Sequence, residues 1–334
     1  MATAGGTPAA AGDNLKRLTD LYRMMVRIRT FEETALEAYK AGEIPGPLHV
    51  SFGQEAIPSA VCASLRTGDR LTSNHRGHGH ALAKGADAAT MYLELYGREG
   101  GYCRGKGGSM HIADFSVGML GANGVVAGGL PIAVGAAQGL KLLKSDAIVV
   151  CMFGDGASNR GPYLEALNWA AIYTLPVLFV CEDNGVAAHT ETRTVTAGEG
   201  PAVRANAIGV PAVTIDGNDA LAVEETAARL VAEIRAGRGP RMIHAKTYRW
   251  SGHTATDAAA WRDPKQVEAA KTRCPIARLK SVLIERGVAS AALDDIANAA
   301  CNEMQVGRAG AHAAPWPAMA SAFEDVQDSG AVHG

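Results

Sequence analysis

Two short apolar runs, at residues 147–153 and 177–181, constrain this chain most. Both are rich in β-branched residues and lack polar alternation, which predicts strands buried on two faces, as in a parallel sheet. Parallel neighbours need a crossover between them, and the intervening segment can supply one. Pro162 suits a first helical turn, Leu164, Leu167 and Ala171 mark one helix face, and Leu175-Pro176 closes it. Farther on, 213–215 reads as strand, 220–235 as helix and 242–246 as strand. That alternation predicts an α/β fold built on a doubly wound parallel sheet.

The flanks are read from period and punctuation. Leu15, Leu18, Leu21, Met25, Ile28, Phe31 and Ala35 recur at helical spacing, so an amphipathic helix is expected over 14–41, stopped by Ala41-Gly42 with Pro45 and Pro47 beyond. Residues 42–129 are rich in Gly and His without clean periodicity, either a set of functional loops or a poorly packed region. The expected organisation is a disordered tail over 1–13, one α/β domain over 14–263, and a helical C-terminal extension and tail over 264–334.

Charge narrows the function classes. Lys and Arg total 32 against 34 Asp and Glu, with no long run of one sign, which argues against nucleic acid or an acidic membrane as partner. The six cysteines form no CxxC pair, so reduced and mostly buried thiols are expected. The Ala/Gly-rich start lacks Lys or Arg and has no apolar core of a secretion signal, and no apolar run is long enough to span a bilayer. A cytoplasmic protein is expected.

Gly154-Asp155-Gly156 ends the first central strand, and Asn184-Gly185 follows the second, 29 positions after Asp155. In a right-handed βαβ unit both side chains reach the carboxyl edge of the sheet, where such folds bind ligands. A carboxylate and an amide oxygen are hard ligands suited to Mg2+, with a phosphate completing the shell. The two glycines let backbone approach that anion, and a helix starting near Ser158 would point its amino terminus at it. Alone, Gly154–Gly156 could equally be a plain turn.

The stretch GDGASNRGPYLEALNWAAIYTLPVLFVCEDNG resembles the thiamine-diphosphate motif, and more narrowly the alpha subunits of the decarboxylating component of 2-oxoacid and acetoin dehydrogenases. The resemblance spans roughly 15–255 and includes GQEA (53–56), HRGHGHALAKG (75–85), GKGGSMHIADFSVGMLGANGVV (105–126) and TYRWSGHT (247–254). HRGHGH and MHIADF…MLGANG look most like acetoin dehydrogenase alpha subunits. The resemblance implies thiamine diphosphate and Mg2+ as cofactors, with Asp155, the Asn184 side chain and the Val186 carbonyl as metal ligands. It further implies cofactor contacts from Gly154, Gly156 and Ala157, and Gly124 and Val126 along the aminopyrimidine. Many relatives carry Tyr at 186, and pyruvate enzymes often carry Asn where Asp183 stands.

Six of the ten histidines, His49, His75, His78, His80, His111 and His253, fall in or beside these motifs. A single His is more often a hydrogen-bonded structural residue than a catalyst, but a cluster beside a basic side chain suits a reacting 2-oxo acid. By resemblance His49 and His253 are catalytic, and Arg76, His75 and His253 contact the diphosphate, Arg76 with its fixed fork of donors. His75 stands where pyruvate enzymes have Tyr, and Ser251 where they have His. His78, His80 and His111 are read as structural. The run RGKGG at 104–108 lacks the Lys-Ser/Thr of a P-loop.

Thiamine chemistry also needs a carboxylate on the aminopyrimidine, which in relatives lies on a second domain. Glu55, Glu165 and Glu182 all belong to the diphosphate half and are read as structural, so the missing Glu is expected from a beta subunit in a heterotetramer of two alpha and two beta chains. The implied reaction cleaves acetoin or a 2-oxo acid such as pyruvate and passes the acyl group to a lipoyl-bearing acyltransferase. The alternative is a two-subunit transketolase-like carboligase. A Rossmann nucleotide site lacks its Gly-x-Gly-x-x-Gly spacing here, and a non-catalytic scaffold would not need Asp155, Asn184 and Arg76 together.

Overall fold

The four strands and the 220–235 helix read from 147–246 form where the pattern puts them, and the computed structural model, which describes residues 8–324, extends the sheet on the side the pattern left blank. In chain order the first half carries α1 (Pro8–Lys40), α2 (Ala56–Cys62), β1 (Arg70–Thr72), α3 (Gly77–Lys84), α4 (Ala88–Leu95), β2 (Met119–Gly121) and α5 (Gly129–Leu142). Then follow β3 (Val149–Gly154), α6 (Gly161–Ile172), β4 (Val177–Asp183), a small hairpin of β5 (Val186–Ala187) and β6 (Thr190–Glu191), and α7 (Thr192–Val195). The rest is α8 (Pro201–Ile208), β7 (Ala212–Asp216), α9 (Ala220–Arg235), β8 (Arg241–Lys246), α10 (Pro264–Lys271), α11 (Pro275–Glu285) and α12 (Ser290–Ala313). Helix α1 thus starts at Pro8, ahead of the expected 14; positions 1–7 of the expected tail lie outside the described residues.

Six strands form one parallel sheet in the order β2-β1-β3-β4-β8-β7. Because strand side chains alternate, β3 and β4 feed two cores at once. Val149, Cys151, Phe153, Val177, Phe179 and Cys181 pack with α5, α6 and α8 on one face. Val150, Met152, Leu178 and Val180 pack with α1, α2, α3 and α9 on the other. Each of these side chains is fully or nearly fully buried, worth roughly 1.5–3 kcal/mol for a large aliphatic one. Helices α11 and α12 return to the same core through Leu279, Leu283, Leu293 and Met304, so the C-terminal helices share it with α1.

The region 42–129 is neither loose nor loop alone: it holds two strands and three complete helices, with α5 starting at its end. Its interior is fastened by polar groups. Glu32 bonds Ser51 and, at 2.9 Å, His78, whose other nitrogen meets Ser109 at 2.9 Å. Ser73 meets His80 at 2.6 Å, and His80 meets Glu182 at 3.1 Å. The run RGKGG curls its backbone around an anion after all, but that anion is the buried Glu94 carboxylate. It accepts from the N–H groups of Cys103, Gly105, Gly107 and Gly108 at 2.7–3.0 Å. Such backbone concavities are the usual cradles of phosphate; here the chain fills its own.

The cysteines form no disulfide; Cys62, Cys151 and Cys181 are buried, Cys103 and Cys274 half-buried and Cys301 exposed. Among the described residues no helix is long and apolar enough to cross a membrane.

Candidate metal and diphosphate site

The chain runs from β1 to the sheet edge on one side and from β3 to the other, so the strand order reverses between them. Crevices open at the carboxyl ends of strands at such a reversal. Four strand ends meet there. β1 leads into Ser73–Arg76, β3 into Asp155, β4 into Asn184, and β8 into the loop carrying Arg249 and His253. They enclose a cavity of about 250 Å3 lined by His75, Arg76, Val126, Gly154, Asp155, Gly156, Ala157, Asn184, Val186 and His253. Of the candidates, His49 and Gly124 are not in its wall. His49 stands behind, its ring 4.9 Å from that of His75 and 5.1 Å from that of His253. Gly124 lies between two wall residues, Asn123 and Val125.

The backbone after β3 differs from expectation. A tight turn occupies Asp155–Asn159, and the helix begins at Gly161 rather than near Ser158. The turn keeps Asp155 at the strand's mouth. Above it sits the β5–β6 hairpin, and a Cβ on Gly156 would lie 2.7 Å from that of Ala187. Ala127 and Ala188, both in the wall, hold left-handed backbones at φ 71° and 53°, conformations that cost an alanine energy and concentrate at functional sites.

Side chains of both charge signs line the cavity. Asp155 is 4% exposed, and its Oδ2 finds no hydrogen-bond partner. Burial and the neighbouring Asp183 push its carboxyl up to about 6. Asp183 goes the other way. Burial alone would raise it, but a 2.7 Å bond to His244 and the Gly185 N–H hold it below the usual range, so Asp155 bears the conflict. Asn184 donates its Nδ2 to Gln54 at 2.9 Å, which turns its Oδ1 toward Val186 N and leaves a lone pair for a cation.

The same wall carries Arg76 and Arg249, 5% and 2% exposed. Arg76 donates to the carbonyls of Val50 and His253 at 2.7 and 2.8 Å, and Arg249 to those of Ser251 and Ala188. Neither makes an ion pair among the described residues. Burial first, then the neighbouring Arg249 for Arg76 and Arg262 for Arg249, drives them down to about 9 and about 10. The same burial, with Arg76 next, depresses His49 to about 3, His75 to about 2 and His253 to about 4, so all three imidazoles are neutral near pH 7.

A buried carboxylate oxygen without a hydrogen-bond partner, in one wall with two buried guanidiniums that make no ion pair, suits a ligand that brings both a cation and an anion. The donor set is hard oxygen, as Mg2+ prefers, and the guanidiniums are bidentate donors, as phosphate prefers. Sequence reasoning missed Gln54, Asn74, Glu182 and Arg249 as wall residues. Each sits inside a motif already singled out or beside one. The signal was the motif's chemistry-bearing neighbour: a Gln before a helix, an Arg in TYRWSGHT.

Comparison with known proteins fits this arrangement. Residues 22–313 match the model of the family described as dehydrogenase E1 component. The chain belongs to that family. It is 40% identical over 307 residues to the alpha subunit of acetoin:2,6-dichlorophenolindophenol oxidoreductase of Bacillus subtilis, covering 92% of each chain. The protein of the same name in Cupriavidus necator is 44% identical over 78% of each. The pyruvate dehydrogenase E1 component subunit alpha of Zymomonas mobilis is 38% identical over 83% of this chain and 79% of its own. As an E1 component, the chain places its acidic turn, its Asn and its buried arginines at one crevice, in one unbroken sheet.

Proposed function

We propose that this chain is the alpha subunit of a thiamine-diphosphate-dependent dehydrogenase, cytoplasmic and assembled as two alpha and two beta chains. It would cleave acetoin or a 2-oxo acid such as pyruvate and pass the acyl group to a lipoyl-bearing acyltransferase. The observation that carries the reading is the cavity's lining of both charge signs. In it Asp155 Oδ2, Asn184 Oδ1 and the Val186 carbonyl hold Mg2+. Arg76, with His75, His253 and the backbone of Gly154–Ala157, takes the diphosphate, and the Gly124–Val126 main chain lines the aminopyrimidine. Thiamine diphosphate, when bound, supplies the carbon nucleophile and the electron sink.

The protein's own work is positional and protonic. Neutral His49 and His253 can accept a hydrogen bond or a proton from the substrate side, and a bound anion raises their basicity toward neutrality. Gln54 fixes the Asn184 rotamer. Two glutamates nearby already have partners: Glu182 with His80 and Asn74, and Glu55, through Oε1, with Arg29 and the Gly53 N–H. This supports a catalytic Glu from another chain. So do Val125 and Val126, which line the cavity while 68% and 51% exposed, an apolar wall suited to a covering subunit. The doubly wound fold, its helical extensions and the division at residue 263 belong to the same reading. The relatives named above bear oxidoreductase and dehydrogenase names, so the carboligase alternative gains no support.

Reconstitution tests it. The chain alone should reduce dichlorophenolindophenol with neither acetoin nor pyruvate, and a cognate beta subunit with thiamine diphosphate and Mg2+ should restore turnover. Full activity of the isolated chain would defeat the half-site reading.

A further inference from the structure

The three imidazoles beside the cavity have a property that diphosphate binding does not use. One ring nitrogen from each of His49, His75 and His253 lies within 4.8 Å of the other two. The rings meet edge to face at 4.9 and 5.1 Å and tilted at 5.4 Å, so they cluster without stacking. His49 is 6% exposed, and its Nδ1 finds no hydrogen-bond partner, nor does the buried Nε2 of His75. Two orphaned imidazole nitrogens leave buried polar atoms unsatisfied, each a cost of about 1–3 kcal/mol.

We infer that His49, His75 and His253 form a second cation site, a three-imidazole cradle for a borderline divalent ion such as Zn2+. Imidazole suits Zn2+, Cu2+ and Ni2+, whereas Mg2+ prefers oxygen, so this site and the Asp155 site select different metals. Zn–N bonds of about 2.0–2.1 Å put tetrahedral ligand nitrogens roughly 3.4 Å apart. Small χ rotations close the gap from 4.8 Å. Three protein ligands leave a fourth position open toward the cavity. Arg76 opposes a cation there, but its charge is already shared with two carbonyls. Its Nη2 keeps the 2.8 Å bond to the His253 carbonyl if the 3.2 Å contact to Nδ1 is given up. The ion ties up His49 and His253, so Zn2+ acts as a reversible inhibitor of the assembled enzyme. This last clause rests on the thiamine reading; the site itself does not.

The test is a Zn2+ titration of the metal-free full chain in excess Mg2+, without thiamine diphosphate, read by competition with a chromogenic chelator. One Zn2+ should bind per chain, and Co2+ in its place should show the visible absorption of a tetrahedral site. His75→Phe and His253→Ala should each weaken binding at least tenfold with an unchanged melting profile at pH 7, while His189→Ala should leave it intact. The His189 ring lies 6.1 Å from that of His253 and its Nε2 contacts Asp257, so it is the nearest competing ligand. Should a variant fail to fold, electron paramagnetic resonance of Cu2+ on the unaltered chain counts the nitrogens: three sustain the site and fewer overturn it. Absence of stoichiometric binding, displacement by Mg2+, or full retention in both His variants also overturns it. Inhibition of the reconstituted enzyme by Zn2+, relieved by a chelator, tests the consequence separately; full turnover at Zn2+ concentrations that fill the site would remove it.

Discussion

The strands β3 and β4 and the region 42–129 are built on opposite principles. Apart from Glu182 near the end of β4, the strands bury apolar side chains, six on one face and four on the other. The other region buries Glu94 in backbone N–H groups and strings His78 and His80 between hydroxyls and carboxylates. Burial by hydrocarbon is additive and tolerant of small changes in shape. Burial by hydrogen bond is all or nothing, because each unmatched partner costs the desolvation of the group left behind.

That contrast can be broken most directly at Glu94. Glu94→Ala strands four backbone N–H groups and should cost about 4 kcal/mol or more, enough to deny a folded chain, as read by urea unfolding. Leu178→Ala in β4 should cost about 2–5 kcal/mol and leave a two-state transition. If Leu178→Ala proves the more damaging by a clear margin, the polar region is decoration rather than scaffold.

A gentler probe uses the site between the two regions. The folded carboxyl of Asp155 is raised to about 6, so its ionisation destabilises the metal-free chain as pH rises through that value. Asp155→Asn should therefore raise the metal-free melting temperature at pH 7, by a free energy on the order of 1–3 kcal/mol. The same change should abolish the stabilisation given by Mg2+ with thiamine diphosphate. A lower melting temperature in the absence of metal would show that Asp155 is structurally matched after all.

The smallest effect is one of slope. The unfolded chain protonates its histidines below about pH 6.5, whereas folded His49, His75 and His253 resist until about 3, 2 and 4. Their contribution is present above 6.5 and is lost as pH falls toward those values. Asp155 acts with the opposite sign between its ordinary value and about 6. His75→Phe should then flatten the acid-side loss of stability and Asp155→Asn should steepen it, measured by melts at half-unit steps from pH 4.5 to 7.

The same contrast explains what was legible. Periodicity found β4 and α9 because their side chains sort by hydropathy alone, and α9 spans 220–235 as read. It could not find β1, three residues long, or α3, whose sequence GHGHALAK buries two histidines by bonding them. The helix after β3 was placed too early because a tight turn and a helical turn share residue preferences. At the site, Asp155, Asn184 and Arg76 were legible from motif spacing, since strand ends fix where they go. Gln54 and Arg249 were not, because their roles depend on which distant side chain they face.

Arg76 and Arg249 have one more consequence. A pair of buried guanidiniums that makes no ion pair within the described residues gains from an anionic ligand, which ties the chain's survival to supply. Ligand at a hundred times its dissociation constant adds about 2.7 kcal/mol by mass action. That thins the unfolded population about a hundredfold, and proteases that act on open chains see correspondingly fewer. Cells short of the ligand would thus clear this polypeptide faster, and its abundance would track the nutrient it binds without any transcriptional signal.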